Sequence, residues 1–261
     1  MAKLRTGIVI LIILIVFSLL TASKGEMDMS QYLSSPSTSH PFGCDSLGRD
    51  LLGRCSYGLL VSLSVSVTSS LLGLAAALIL VFIIKNVPVL GPVVHSLVKA
   101  LKTLPSIVLA LFLLSFPGNG TFRLIFTLSL SAASSMTLLF VPLLESIDGE
   151  DYIIAERSLG MREGKIYKRH IIPSLVYVIR EEFSSTLISA VITESSISFL
   201  GLGLDVSVPT LGRLLSEGRS TALTYPHTVV FPALMLFLTG LGMLLINRAL
   251  SELDTASHGS C

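Results

Sequence analysis

Charged side chains are scarce in this chain. Asp, Glu, Lys and Arg make up 13% of its 261 residues, against about a quarter in ordinary soluble domains. With 51% hydrophobic residues and a mean hydropathy of +0.81, that shortage places the chain in the helical membrane class. Catalytic constellations are missing too. The five histidines are scattered at positions 40, 95, 170, 227 and 258, and neither HExxH nor GxSxG occurs. The nearest approach to a phosphate loop, Gly160 to Lys165, is one residue short and lacks a following Ser or Thr. The chain therefore has no usual means of hydrolysing ATP, and active transport would draw its energy from another subunit. Cys44, Cys55 and Cys261 form no metal-binding pattern. A Cys44–Cys55 disulfide would need a turn between them, because eleven residues of helix rise about 16 Å. A net charge of +1 with no basic tail offers nothing to nucleic acid.

What is present is a series of six apolar runs, near residues 7–22, 58–84, 96–116, 121–144, 174–200 and 226–246. The first follows Lys3 and Arg5 and reads either as a cleaved signal peptide or, the favoured reading, as an uncleaved anchor. The second and fourth are rich in Ser, Gly and Ala, which let membrane helices approach closely. Pro105 predicts a kink in the third. Lys85, Lys99 and Lys102 frame an inner loop before it, and Pro117 to Gly120 makes an outer turn after it. With an inside start, six crossings give an inside end. Twelve of the eighteen Lys and Arg residues then fall inside, all but Lys24, Arg49, Arg54, Arg123, Arg213 and Arg219, as the positive-inside bias requires. Glu194 lies within the fifth run, where an ionisable group is costly. It reads as a pathway-lining or gating carboxylate, or as an outer residue bonded to helix ends or to Ser195 and Ser196. An intramembrane enzyme using Glu194 with Asp205 or His227, or a secondary carrier, is the alternative to the reading below.

The strongest charged island is DYIIAERSLGMREGKIYKRHIIP, residues 151–173. Asp148 and Asp151 are positioned to cap a helix over 152–159. Gly160 suits the left-handed residue that ends it, and Pro173 marks the start of the next apolar run. A helix, a glycine turn and a second helix form a shape suited to docking a soluble partner. On the outer side, HPFGCDSLGRDLLGRCSYG offers Asp45 as a helix cap and the i,i+4 pairs Asp45/Arg49 and Asp50/Arg54.

These stretches resemble the membrane subunits of binding-protein-dependent ABC importers, in particular the second, shorter permease of the dipeptide, oligopeptide and nickel systems. The island resembles their cytoplasmic docking loop, the EAA loop, through Tyr152, Ala155, Arg157, Leu159, Gly160, Arg169, His170 and Pro173. Ile154 and Glu156 depart from the commoner Glu-Ala-Ala form. The outer segment is similar to the family's HPFGTDxxGRD run through His40, Gly43, Asp45, Gly48, Arg49, Asp50 and Arg54, with Cys44 in place of Thr. ESSISFLGLGLDVSVPTLGRLLSEGR resembles a third family segment through Glu194, Ser198, Phe199, Gly201, Gly203, Pro209 and Gly212, with Leu211 where Trp is usual. Its glycines suggest an outer re-entrant turn beside the pathway.

The resemblance implies an all-α membrane protein with six transmembrane helices in the type I ABC importer permease fold. Residues 1–57 would hold the first helix and an extracytoplasmic segment, 58–256 the transmembrane domain with its docking loop at 148–173, and 257–261 a tail. It implies a multi-pass protein of the bacterial inner membrane. Its partners would be a second permease, two ATP-binding subunits that carry ATP and Mg, an extracytoplasmic solute-binding protein, and membrane lipid, with no cofactor in this chain. The docking residues would be Tyr152, Ala155, Glu156, Arg157, Leu159, Gly160, Arg169, His170 and Pro173. Pathway or binding-protein contacts would be Gly43, Asp45, Gly48, Arg49, Asp50, Arg54, Glu194, Ser198, Phe199, Gly201 and Gly203. The substrate would be a peptide, the favoured reading, or nickel; His227 reads as a plain interfacial histidine first and as a hint of metal second.

Overall fold

A computed structural model of the chain describes residues 2–116, 120–205 and 207–258, the side chains of 2 and 253–258 excepted. The outer turn expected at 117–120 lies outside these residues apart from Gly120, and so does the tail from residue 259. Ten α-helices follow one another among the described residues: α1 Ala2–Thr21, α2 Leu51–Asn86, α3 Leu90–Thr103, α4 Ser106–Leu114, α5 Gly120–Asp148, α6 Asp151–Ser158, α7 Glu163–Ile166, α8 Ile172–Phe199, α9 Leu211–Gly218 and α10 His227–His258. Among the described residues the strand-type pairing is an isolated bridge between Cys44 and Asp50.

The α2–α5 pair, whose two helices run in the same direction with Lys85 beside Asp148 at their inner ends, forms the centre. Its contact is built on small residues: a methyl group on Gly73 would sit 2.5 Å from the Ala132 Cβ, and Ser66, Ser69, Ser70 and Ala77 are buried along the same stretch of α2. Close backbone approach is what holds membrane helices together where lipid offers no hydrophobic drive. Larger side chains fill the two ends. Val81, Met136, Phe140 and Val141 pack near the inner end, and Leu51, Cys55, Leu59, Leu211, Leu214 and Met235 near the outer one. α1 lies along α10, with Gly7 against the Gly242 carbonyl and Lys3 bonded to Glu252.

Among the described residues four helices are long and apolar enough to cross a membrane: α1, α2, α5 and α10. α3 and α4 make a fifth span if taken as one broken element, bent by 96°. α8 has the length for a sixth, its 28 residues rising about 42 Å, but is less apolar than the other four, with Arg180, Glu181, Glu182, Glu194 and several Ser and Thr residues along it.

Several local expectations are corrected. α2 begins at Leu51 rather than 58, and its cap is Asp50, whose carboxylate accepts from Gly53 N at 2.7 Å. Asp45 instead closes the preceding turn, accepting from Leu47 N and Arg49 N. The residues expected as an inner loop before the third span form α3. The third span is broken, not kinked, because a residue before proline is driven out of the helical region. Leu104 is accordingly extended, at φ −78° and ψ 128°, and Pro105 opens α4.

Candidate functional site

At the inner end of the bundle, residues 148–173 build the helix–turn–helix read from the sequence, on a small core of their own. Ile147, Ile153, Ile166 and Ile171 are buried together under Leu143, Leu144 and Met161. α6 ends at Ser158 with Leu159 as its C-cap, and Gly160 follows at φ +79°, a left-handed conformation that costs an L side chain about 1–2 kcal/mol. Neither Asp148 nor Asp151 caps α6. Its N-cap is Glu150, without a side-chain bond. Asp148 does something longer in range: its Oδ1 accepts from Arg157 Nη2 at 3.1 Å, and its Oδ2 lies 3.6 Å from Lys85 at the end of α2. Arg157 also reaches Glu163 at 2.8 Å. Hydrogen bonds to Glu163 and then Asp148 push the Arg157 pKa up. One arginine thus ties α5, α6 and α7 into a unit.

His170 and Tyr152 form the second tie. His170 Nε2 lies 3.1 Å from Glu156 Oε2, and the His170 and Tyr152 rings are 5.3 Å apart. Between α7 and α8 the backbone runs as a π-turn over Tyr167–Ile171, with Ile172 N donating to the Tyr167 carbonyl. Pro173 accounts for it: it has no N–H to offer the Arg169 carbonyl, so the helix widens by one residue. The underside of the loop is therefore rigid and joined to α5 and α8. Its outer surface is apolar and open: Leu159 is 86% exposed, and Tyr152 and Ile154 are about half exposed. Ala155 and Arg169 are exposed beside them.

At the opposite end, residues 43–54 are fixed by an ion-pair cluster. Asp45 Oδ2 accepts from Arg49 Nε at 2.8 Å and also from Arg54. Arg54 and Arg49 reach across to Glu217 of α9, at 2.8 and 3.3 Å, and Arg213 bonds the same carboxylate at 3.3 Å. Asp45/Arg49 pairs as expected. Asp50/Arg54 does not: Asp50 lies 3.0 Å from His40, because Arg54 is drawn inward to Asp45 and Glu217. Asp45 and Arg54 are 5% and 2% exposed, so both are used up inside the fold and present no surface. Gly43 and Gly48 are buried turn residues as well, packed on His227 and on the Asp28 carbonyl. Sequence reasoning missed Glu217 and Arg213. Their i,i+4 spacing was visible, but nothing local announces a bond from Glu217 to Arg54, 163 residues away.

Cys44 and Cys55 are free thiols, and burial pushes the Cys44 thiol up. His227 is buried, its Nε2 3.4 Å from the Cys44 carbonyl. That is a packing role. Glu194 is fully buried near the outer end of α8. Ser198 donates to its Oε1 at 2.7 Å and Ser195 to its Oε2 at 3.3 Å, with the Ser62 hydroxyl of α2 near the same carboxylate. Phe199 is half-buried at the end of α8. Beyond it, Gly201 is exposed and Gly203 packs on Ser198. α9 then returns against α8 so closely that a methyl group on Gly212 would lie 2.0 Å from the Ser195 carbonyl oxygen.

A bundle of membrane-length helices with a rigid apolar handle at one end has the form of a membrane-spanning subunit that docks onto a partner. The chain belongs to the binding-protein-dependent transport system inner membrane component family, whose model matches residues 58–252. It is 29% identical to the glutathione transport system permease protein GsiD of Pectobacterium atrosepticum, over 88% of this chain and 77% of that one. It is 28% identical to a probable peptide ABC transporter permease, y4tQ, of Sinorhizobium fredii, over 87% and 78%. Two solved structures share the fold: an amino acid ABC transporter with histidines, at TM-score 0.62 and 16% identity over 78% of this chain and 94% of that one, and the inward-facing MetNI methionine ABC transporter, at 0.54 and 19% over 74% and 94%. The protein is therefore a multi-pass permease component of an ABC importer in the bacterial inner membrane, and not an enzyme.

Proposed function

We propose that this permease imports short peptides, paired with a second permease, powered by two cytoplasmic ATPases that carry the ATP and Mg, and loaded by an extracytoplasmic solute-binding protein. The observation that carries the reading is the handle at 148–173. Leu159, Tyr152 and Ile154 present an apolar surface to water, a feature that marks an interaction site on a protein surface. Beneath that surface, Arg157, Asp148 and Lys85 connect the handle to α5 and α2. Movement of a docked ATPase is then passed to the spans as a rigid-body tilt, which opens the path alternately to the two sides. Arg157, Glu156 and His170 act as internal ties in this scheme, while Leu159, Tyr152, Ala155 and Arg169 meet the motor.

The outer end plays a different part. The Asp45–Arg54–Glu217 cluster holds residues 43–54 on α9, so that the exposed loop around Gly201 meets the binding protein from a fixed base. Peptide is favoured over nickel by the relatives' named substrates, glutathione and peptide, and by the buried packing role of His227. The test is ATP-driven uptake by proteoliposomes holding the complete complex with its binding protein. Trialanine accumulates under this reading. Accumulation of nickel with no uptake of trialanine would reverse the substrate assignment.

A further inference from the structure

A cavity of about 220 Å³ opens within the bundle, between α5, α8 and the bend joining α3 to α4. Its wall is polar where a membrane bundle is ordinarily apolar. Glu182, Thr186, Ser189 and Thr193 of α8 line it from one helix face, and Ser131 and Ser135 of α5 from another. Lys102 enters from the bend. The sequence placed this lysine in an inner loop; the structure has its ammonium donating to Ser135 Oγ at 2.6 Å. Ser135 stands about 20 Å of helix from the inner end of α5 at Asp148, which brings the charge to the depth of the bilayer interior. Glu182 is on the facing wall, with Thr186 donating to its Oε1 at 3.5 Å.

An ionisable side chain at that depth faces a water-filled path or a partner group, since hydrocarbon does not accept it. Here two of opposite sign face one cavity, and no ion pair joins them among the described residues. Each is turned to a hydroxyl instead. A purely anionic solute would match Lys102 and be repelled by Glu182, and a cationic one the reverse. A metal ion would find a single carboxylate. A solute with one ammonium and one carboxylate satisfies both walls at once.

We propose that this cavity is a subsite on the translocation path that reads the two charged ends of a short zwitterionic peptide. Lys102 takes the α-carboxylate, Glu182 takes the α-ammonium, and the hydroxyls of α5 and α8 serve the amide groups between them. The assignment rests on the peptide reading above and adds to it a specificity that belongs to the permease rather than to the binding protein.

The experiment compares uptake of trialanine, its C-terminal amide and its N-acetyl form by the complete reconstituted transporter. The same binding protein is present throughout, so its own preference cancels when a variant's uptake ratio is divided by the wild-type ratio. Lys102→Met lowers the preference for free acid over amide about tenfold, the scale of one lost charge contact, and leaves the preference for free over acetylated amine as it was. Glu182→Gln does the reverse. Lys102→Arg and Glu182→Asp keep both ratios. Where Lys102→Met does not assemble, Lys102→Gln retains a donor for Ser135 and gives the same readout. Equal loss for all three peptides, or unchanged ratios, overturns the subsite while leaving peptide import standing. If the wild-type complex imports another solute and none of the three peptides, the peptide reading falls and the subsite with it.

Discussion

Gly160 gives the sharpest mechanical test of the handle. At φ +79°, with no atom within 4 Å of where a Cβ would stand, it is glycine for conformation alone. Substitution therefore adds backbone strain and no steric clash. For Ala the strain is about 1–2 kcal/mol, which shifts the balance between the native turn and an opened one by about 5- to 30-fold. A β-branched residue is worse placed still, and Asn is the best-tolerated replacement. The turn stands on its own small core of Ile147, Ile153, Ile166 and Ile171, apart from the α2–α5 centre. The strain is thus absorbed in the handle, and the bundle is spared. ATPase recovered on the affinity-purified permease should decline in the order Gly, Asn, Ala, Val, with uptake declining in step and the yield of membrane-inserted permease nearly constant. Gly160→Val with full ATPase capture and full uptake would refute the docking assignment.

Two further predictions concern the outer end. Gly212→Ala puts a methyl group 2.0 Å from the Ser195 carbonyl oxygen, so α9 must back away from α8. The overpacking costs about 1–3 kcal/mol, to be read as a lower melting temperature in detergent. Glu217→Ala leaves Arg49 and the buried Arg54 to share Asp45 alone. Loss of a charged hydrogen bond at this half-exposed site costs about 1–2 kcal/mol and again lowers the melting temperature, with Glu217→Gln milder. An unchanged melt for Gly212→Ala would mean that α9 is not packed tightly on α8, and an unchanged melt for Glu217→Ala that the ion-pair cluster does not hold α9.

What the sequence made legible was whatever is local. The α6–Gly160–α7 handle follows from a helix pattern, one glycine and one proline, and the Asp45/Arg49 pair follows from i,i+4 spacing. The membrane class follows from composition. Features that depend on distant partners stayed hidden. Asp45 looked like the cap and Asp50 like the partner of Arg54, whereas Asp50 caps α2 and Arg54 pairs with Asp45 and the distant Glu217. Pro105 announced a disturbance but not a 96° break. Lys102 read as a loop lysine because sequence position alone cannot show that its ammonium reaches Ser135. Glu194 was weighed between two roles. The structure places it fully buried with Ser195 and Ser198, near a helix end rather than facing the Lys102 cavity.

The central claim is that residues 148–173 are gripped from the cytoplasm by a separate motor. Leu159, 86% exposed at the tip of the handle, is the position from which to ask. A photo-cross-linking side chain placed there in the assembled transporter should form an adduct with the ATP-binding subunit. Reaction of the same position with a membrane-impermeant reagent applied from outside, with no adduct to that subunit, would contradict the account.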